Sequence, residues 1–216
     1  MKYYFKTLRV FSQFAFITLL SGCVLVSQAE QPEKKMDEKA NIQVELNQYK
    51  QSEFKQVEAT FFTKQSKELV FRVLSNIDQT PQWLARVDSL EVIEVYNNHQ
   101  YLLRTRLNSP WPFYNRELIT CVDTFFEEAI TYINISSCSE RVPEDEAYIR
   151  LSEVESFWTI KKISDSFVEV NYKTWLDPTG RVPAFIFNRE LINSTETDLE
   201  KLKVLIDNSS LADFSY

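Results

Sequence analysis

The chain has few residues that could support catalysis or bind a metal. His99 is its only histidine and lies in an Asn-Asn-His turn between two predicted strands. A catalytic triad or a histidine-based metal cluster needs more partners than this turn supplies. We therefore interpret His99 as an exposed turn residue, and we expect no catalytic residue and no metal ligand in this chain.

The chain has three cysteines, and two of them lie close together in the predicted sheet. Cys121 and Cys138 lie on or beside neighbouring predicted strands, so they could form a cross-strand disulfide in an oxidising compartment. The alternative is two free thiols, because the strand register depends on the turn at Glu127-Glu128. A nucleophilic cysteine is the weaker interpretation, since neither thiol has an evident histidine partner.

Glycine is scarce, and this scarcity excludes several function classes. The chain contains only Gly22 and Gly180, whereas an average protein has roughly 7% glycine. Phosphate-binding loops, dinucleotide-binding turns and nucleophile elbows all need closely spaced glycines. We expect no nucleotide-type cofactor, and no cofactor of any other kind is indicated.

The net charge of −7 over 216 residues limits the choice of partner. A negatively charged chain has no electrostatic attraction to nucleic acid or to an anionic membrane surface. We expect no nucleic-acid partner, and the sequence names no protein partner.

The N-terminus has the pattern of a secretory signal. Lys2, Lys6 and Arg9 precede an apolar run from Val10 to Leu20, which is shorter than the ~20 residues that span a bilayer. The Leu-Ser-Gly-Cys sequence that ends at Cys23 resembles a bacterial lipobox. This resemblance implies that Cys23 is lipidated and anchors the chain in a membrane of the cell envelope, facing the periplasm.

The residue after Cys23 is valine rather than aspartate, which resembles sorting to the outer membrane. Two alternatives stay open for this segment: an uncleaved membrane anchor, or an ordinary signal peptide with a chance cysteine. The predicted organisation is a lipoprotein signal over 1–23, a flexible tether over 24–52, one folded domain over 53–208 and a tail over 209–216.

The pattern of the domain predicts an α+β fold. An early helix capped by Ser66 is followed by a series of short alternating strands. Pro81 is expected to stop that helix. A turn at Asp177-Pro178 leads into a long amphipathic helix that starts near Pro183 and carries apolar residues at helical spacing to Ile206. Short strands at regular spacing indicate a strongly curved antiparallel sheet.

An unusual corner joins two of the predicted strands. The block Pro110-Trp111-Pro112-Phe113-Tyr114-Asn115-Arg116-Glu117 begins with two prolines that end the first strand. Strand alternation puts Arg116 and Glu117 on opposite faces, so at most one of them can face a cavity. On the preceding strand, Arg104 and Arg106 share a face. Each of these charges could instead form an ion pair on the solvent side of the sheet.

The chain resembles START (steroidogenic-acute-regulatory-protein-related lipid transfer) domains at several separate places. The matching segments are Val70 to Leu74 with Trp83, Pro110 to Glu117, Arg150 with Trp158 to Ile160, and Tyr172 to Asn188. The last segment is the most specific, because a turn, a proline and an asparagine occur in the family's order. Two positions depart from the pattern: Thr179 and Phe157 stand where START domains often have glycine.

The resemblance implies a helix-grip fold, in which a curved antiparallel sheet wraps a long C-terminal helix around an internal cavity. It implies non-catalytic binding, and a possible transfer role, for a lipid or other hydrophobic small molecule. The residues expected to contact the ligand are Trp83, Arg104, Trp111, Phe113, Arg116, Arg150, Trp158, Tyr172 and Phe185. Trp111 and Trp158 are more often core residues than ligand contacts, although core and cavity wall overlap in this fold.

A gate is also expected, formed by the loop around Pro143, the Asp177-Pro178 turn and the start of the last helix. Two other functions remain open. One is a cyclase-like or hydrolytic enzyme on the same helix-grip fold. The other is a non-catalytic interaction module of the cell envelope, with a filled core and an exposed apolar patch.

Overall fold

The structure is a computed structural model that describes residues 42–109 and 113–214. Its strands are β1 (Gln43–Asn47), β2 (Gln56–Thr63), β3 (Val87–Asn97), β4 (Gln100–Leu107), β5 (Arg116–Phe126), β6 (Ile130–Ser137), β7 (Ile149–Leu151), β8 (Val154–Ser164) and β9 (Phe167–Leu176). The helices are α1 (Lys67–Ser75), α2 (Thr80–Trp83) and α3 (Ala184–Asn208). The predicted signal peptide with Cys23, most of the predicted tether, and Trp111 lie outside the described residues.

All of these strands belong to a single curved sheet. Its order is β1-β2-β9-β8-β6-β5-β4-β3, with every neighbouring pair antiparallel. The short strand β7 lies off this path and pairs with β5 in parallel. Because β2 pairs with the last strand, β9, the early and late parts of the chain are joined in one sheet. Helix α3 follows β9, and its buried residues join those of β2, β8 and β9 in one hydrophobic core. The predicted α+β helix-grip architecture is therefore confirmed.

The two faces of the sheet follow directly from the alternation of side chains. In β2, Val57, Ala59 and Phe61 are buried, while Glu58 and Thr60 between them are only partly buried. Successive side chains of a strand point to opposite faces, so one face of β2 joins the core and the other meets solvent. We call the face that packs toward α3 the inner face and the opposite one the outer face.

The predicted early helix and its cap are confirmed. The Ser66 side chain accepts a hydrogen bond of 3.1 Å from the backbone N–H of Leu69, as an N-cap should. The expectation that Pro81 stops this helix is wrong. Helix α1 ends at Ser75, and Pro81 lies instead in the first turn of the short helix α2. Proline is tolerated there because the first helical N–H groups have no intrahelical acceptor.

Helix α3 is the long amphipathic helix that the sequence predicts. Its C-terminal half is the more deeply buried, with Leu199, Leu202 and Ile206 almost fully enclosed by the sheet. Near its start, the Asn188 side chain accepts from the Lys55 N–H at 2.8 Å and donates to the Glu53 carbonyl at 3.0 Å. Within the described ranges, no helix combines the length and hydropathy needed to cross a bilayer.

The predicted boundary between tether and domain at residue 52 is wrong. Residues Gln43–Asn47 form β1, which pairs in register with β2. Three of these five residues are polar and the segment resembles a linker in isolation, but an edge strand needs mainly backbone partners and only one apolar face. Val44 and Tyr49 supply that apolar contact, and Tyr49 stacks on Trp175 with ring centroids 4.2 Å apart. Beyond α3, Phe214 of the predicted tail also packs on the core.

The sequence pattern favours a single strand over residues 148–154, but this segment is divided in the structure. Its first part is β7, which pairs with β5, and its end at Val154 begins β8, which pairs with β6 and β9. The break falls at Ser152 and Glu153. A run of apolar and β-branched residues predicts extended backbone but cannot indicate that the chain changes its pairing partner.

A buried carboxylate organises the outer face of the sheet. Glu117 is only 1% exposed, and the register places it between Arg106 on β4 and Arg150 on β7. Its carboxylate oxygens lie 2.7 Å from Arg150 Nη2 and 3.2 Å from Arg104 Nε. Arg150 also donates to three carbonyl oxygens of the loop before β7, those of Ser139, Val142 and Pro143. The cluster therefore fastens this loop to the sheet.

A disulfide between Cys121 and Cys138 fastens the start of the same loop. The backbone N–H of Cys138 donates to the Ile119 carbonyl at 2.9 Å, so Cys138 lies opposite Ile119. Cys121, two residues further along β5, then lies diagonally across on the same face. The Cα atoms are 5.6 Å apart, within the range a disulfide requires. Of the two open alternatives for this pair, the structure has the disulfide.

Replacing Glu117 should be far more costly than replacing its exposed neighbour in the cluster. We expect Glu117→Ala to lower the free energy of unfolding by roughly 3–5 kcal/mol, because Arg150 is left buried without its carboxylate. Glu91→Ala removes a solvent-exposed carboxylate paired with Arg104 and should cost only about 0–1 kcal/mol. Urea unfolding followed by circular dichroism measures both. Equal losses in the two variants would contradict the assigned role of Glu117.

Candidate functional site: an apolar cavity between the sheet and the last helix

The inner face of the sheet and helix α3 enclose a cavity of about 270 Å³. Small-molecule sites in proteins measure ~300–1,000 Å³, so this cavity is near the lower end of that range. Its apolar wall is formed by Leu74, Ile77, Trp83, Leu84, Leu90, Tyr101, Leu103, Leu107, Leu118, Val122, Ile133, Ile135, Val154, Trp158, Tyr172, Leu176, Leu191 and Leu199.

The cavity wall is a consequence of strand alternation. On β5, Leu118, Thr120 and Val122 line the cavity. Glu117, on the same strand but one position before Leu118, belongs to the outer face. Leu103 and its inward-facing neighbours on β4 follow the same rule. Because side chains alternate between the two faces, each wall position lies two residues from the next along its strand. The cavity remains because α3 covers this curved surface without filling it.

Three aromatic residues predicted as ligand contacts are brought together in this wall. Trp158 and Tyr172 stack with ring centroids 4.1 Å apart, and Trp83 meets Trp158 edge-on at 6.2 Å. They come from β8, β9 and α2, so the sheet and the short helix both contribute. The placement of Trp83, Trp158 and Tyr172 in the cavity wall is as the sequence predicts, and their contact with a ligand stays a prediction.

Hydroxyl groups lie next to these aromatic rings. Ser156 Oγ and Thr174 Oγ1, on neighbouring strands, are hydrogen-bonded at 2.5 Å. Burial raises the pKa of the Tyr172 hydroxyl; hydrogen bonds from Thr174 and Ser156 oppose the rise, and the nearby charge of Asp198 adds to it. Thr174 and Ser156 were not predicted as site residues, although each lies two residues from a predicted one on its strand.

Asp198 is a buried acid in this wall that the sequence reasoning missed. It lies on α3, is 6% exposed, and accepts a hydrogen bond of 3.2 Å from the Ala85 N–H. Burial raises the pKa of its carboxyl, and the Ala85 N–H and the charges of Lys201 and Arg86 act in the opposite direction. The sequence does carry a signal for this residue. Asp198 occurs at helical spacing from Leu191 and Leu202, so it is a polar residue on the apolar face of α3.

Two arginines mark the end of the cavity near the start of α3. Arg86 lines the cavity and forms an ion pair with Glu190. Arg116 donates to the carbonyls of Pro178 and Tyr114, at 3.2 and 2.7 Å, and to the Ser109 hydroxyl at 2.8 Å. Burial and the nearby charge of Arg86 lower the pKa of Arg116. Arg116 therefore links the corner after β4 to the turn after β9.

The other predicted contacts lie elsewhere. Arg104 and Arg150 belong to the outer-face cluster around Glu117, so the expectation that they contact a ligand in the cavity is wrong. Arg150 lies opposite Glu117 and Arg104 lies diagonally across from it. Both side chains are therefore on the face of the sheet that points away from α3. Phe185 is 75% exposed in the first turn of α3. Phe113 lies beneath the Arg116 guanidinium, 5.8 Å from its central carbon.

The expected gate loop around Pro143 also lies away from the cavity. Its carbonyl groups are bound by Arg150, and the adjoining Asp145 pairs with Arg106 at 3.1 Å. Pro143 does not line the cavity. This part of the gate hypothesis is therefore wrong, because the loop is attached to the outer face. The Asp177-Pro178 turn and the start of α3 remain next to Arg116 and the cavity.

Solved structures of lipid-transfer proteins share this architecture. A STAR-related lipid transfer protein from Xanthomonas axonopodis matches with a TM-score of 0.70 at 17% identity, covering 77% of this chain and 93% of that one. Human StAR-related lipid transfer protein 5 matches with a TM-score of 0.69 at 12% identity, covering 77% and 82%. Human STARD10 matches with a TM-score of 0.68 at 16% identity, covering 79% and 71%.

Sequence comparison adds a distant relative. An uncharacterised protein of Pseudomonas aeruginosa is 22% identical over 100 residues, which are 46% of this chain. The match spans only 50% of that relative's length. No family model matches the chain. Together with the topology, the structural matches show that the chain has the START-like helix-grip fold.

The raised pKa of Asp198 predicts how stability depends on pH. A carboxyl whose pKa is higher in the folded than in the unfolded state favours folding when protonated. The stabilisation that the protonated carboxyl gives is complete below its pKa in the unfolded state, near 3.8. It is lost as pH rises through its pKa in the folded state. An asparagine at this position would carry no charge and could still accept from Ala85.

We therefore expect the free energy of unfolding of Asp198→Asn, relative to the unmodified protein, to rise as the pH increases from about 3 to about 7. Urea unfolding across that pH range measures it. The groups that act on Asp198 are the Ala85 N–H, Lys201, Arg86 and Tyr172. A difference that stays constant or falls with pH would contradict a raised pKa.

Proposed function

We propose that this protein binds a lipid or another hydrophobic small molecule non-covalently in the cavity between the sheet and α3, and that it can pass this molecule to or from a membrane. The observation that carries the proposal is an apolar cavity whose wall combines residues of the sheet, the short helix α2 and α3. The structural likeness to lipid-transfer proteins supports the same interpretation.

The driving force of binding is the removal of apolar surface from water. Each Å² of buried apolar area contributes about 25 cal/mol. The wall offers aromatic and branched aliphatic side chains on nearly all sides, so a hydrocarbon chain or ring finds apolar contact along its length. The few polar groups, which include Tyr172, Thr174 and Asp198, then orient the polar end of the ligand.

We propose that the gate is the segment from Asp177 to the first turn of α3. The turn contains Thr179 and Gly180 with φ of +53° and +81°, and a threonine in this left-handed region is strained. Arg116 holds the turn closed through the Pro178 carbonyl. Phe185, in the first turn of α3, is exposed, so an opened gate would present an aromatic side chain to a membrane.

A non-catalytic role agrees with where the reactive residues lie. Cys121 and Cys138 form a disulfide, so neither is a free thiol nucleophile. His99 lies in the turn between β3 and β4, against the ring of Phe126, and does not line the cavity. Asp198 therefore lacks the histidine partner that a hydrolytic site of the triad type would use.

We also propose that Cys23 is lipidated and that the domain faces the periplasm from the outer membrane of a bacterial envelope. The lipobox-like sequence and Val24 support this. The disulfide supports an oxidising compartment, because cytosolic thiols are normally kept reduced. A membrane anchor would keep the cavity close to a source of lipid.

Filling the cavity should abolish ligand binding without unfolding the protein. Ser194 lies on α3 and lines the cavity, whereas its neighbour Asn193 is exposed. We expect Ser194→Trp to reduce co-purifying lipid at least tenfold, because the indole occupies the space a ligand needs. The matched control Asn193→Trp should retain it. Native mass spectrometry, followed by identification of extracted molecules, measures the occupancy.

Thermal unfolding of both variants checks that they fold, since overpacking typically costs about 1–3 kcal/mol. Two outcomes would contradict the proposal. One is an unmodified protein that carries no lipid and takes up none from liposomes. The other is a folded Ser194→Trp variant that carries as much lipid as the unmodified protein.

Lipidation depends on the thiol of a single residue. In a Gram-negative host, Cys23→Ser should fail to incorporate radiolabelled palmitate and should accumulate as a precursor that retains residues 1–22. The control Val24→Asp should incorporate the label normally while moving from the outer-membrane to the inner-membrane fraction. Incorporation of label into Cys23→Ser, or its absence from the unmodified protein, would rule out the lipoprotein assignment.

A further inference from the structure

We propose that the cavity selects an uncharged lipid that carries a hydroxyl group, and that Trp83 and Asp198 bind this hydroxyl. The proposal rests on the ligand-binding function proposed above and specifies the class of ligand. Its basis is a pair of complementary groups in the cavity wall: one hydrogen-bond donor without an acceptor, and one acceptor with unused capacity.

The donor is the indole N–H of Trp83. Trp83 is 5% exposed and lines the cavity, and its Nε1 is fully buried with no acceptor among the described residues. A buried donor without a partner destabilises the folded state, so almost all such groups are satisfied in native proteins. Trp175, outside the cavity, follows that rule: its Nε1 donates to the Phe54 carbonyl at 3.0 Å.

Two of the hydroxyl groups in the wall already have partners. The Ser156 and Thr174 hydroxyls are bonded to each other. The Asp198 carboxylate accepts from Ala85, two residues after Trp83, which fixes the segment that follows α2 against α3. A carboxylate offers about four acceptor positions, and the Ala85 bond uses one. Trp83 and Asp198 are therefore close in the fold, and each is able to take a further partner.

A hydroxyl is the group that fits both of them. Its oxygen accepts from the Trp83 N–H, and its proton is donated to the Asp198 carboxylate. A carboxylate or phosphate would accept from Trp83 but would bring a second negative charge beside Asp198 in an apolar cavity. An ammonium would be attracted to Asp198 but has no acceptor for the indole N–H.

The remaining charge in the wall does not change this preference. Within the described ranges, Arg86 is the only cation that lines the cavity, and Glu190 already compensates it. An anionic head group therefore finds no uncompensated cation among the lining residues, and Arg116, at the end of the cavity, already donates to two carbonyls and a hydroxyl. The rest of the wall is apolar or carries neutral hydroxyl groups, which suits a hydrocarbon with one hydroxyl.

Three ligands with the same chain separate these possibilities: 1-dodecanol, dodecanoate and dodecylammonium. Each is titrated by calorimetry into the purified protein after its bound lipid has been extracted. We expect dodecanol to bind at least tenfold more tightly than either charged ligand. Asp198→Asn should bring the affinity for dodecanoate to within about threefold of that for dodecanol, because the repelling charge is gone.

Trp83→Phe tests the hydrogen bond itself. The substitution removes a donor that has no acceptor in the described structure, so the variant should fold normally and bind dodecanol about fivefold to tenfold more weakly. The matched control is Trp175→Phe, which removes a bonded donor outside the cavity. It should lower the melting temperature and leave the dodecanol affinity unchanged.

The outcomes distinguish this inference from the proposed function. If none of the three ligands binds and no lipid is extracted, the ligand-binding function itself fails. If the protein binds them but holds a charged ligand as tightly as dodecanol, only the selection of a hydroxyl is overturned. An unchanged dodecanol affinity in Trp83→Phe would likewise overturn the assigned role of Trp83.

Discussion

The fold depends on one packing constraint: the long helix α3, together with the shorter α1 and α2, must cover the inner face of a strongly curved sheet. The C-terminal half of α3 meets this constraint by burying Leu199, Leu202 and Ile206 in one core with residues of β2, β8 and β9. The N-terminal half and the middle of the helix present Leu191, Ser194 and Asp198 to the remaining space. The same helix therefore closes the core at one end and forms the wall of a cavity at the other.

The curved sheet separates two kinds of chemistry onto its two faces. The inner face carries apolar side chains and hydroxyl groups. The outer face carries the ion-pair cluster around Glu117 and the disulfide, which together hold the loop between β6 and β7. This separation explains why Arg104 and Arg150 are structural. Each shares a face with Glu117, where its charge is compensated, and an uncompensated charge in the cavity would be costly.

The cavity combines an apolar wall with a small number of polar groups, which is the usual composition of a site that binds a hydrophobic ligand. Its polar groups come from several separate parts of the chain, which include α2, the β8–β9 pair and α3. The end of the cavity near the start of α3 is bordered by the only strongly strained turn among the described residues that adjoin the site, at Thr179 and Gly180. A cavity beside a turn held by Arg116 is the geometry on which the proposed gate rests.

The amino-acid sequence by itself determined most of the secondary structure, since the Ser66 cap, the alternating strands and the periodicity of α3 are local patterns. It also determined that Trp83, Trp158 and Tyr172 suit an apolar wall, and motif resemblance predicted the fold. Only the tertiary structure decided which face of each strand is the inner one, because alternation defines two faces without ranking them. It alone paired β1 with β2 and β2 with β9, joined Cys121 to Cys138, and brought Asp198 to Ala85. These contacts link residues far apart in the chain, and sheet order and register determine them.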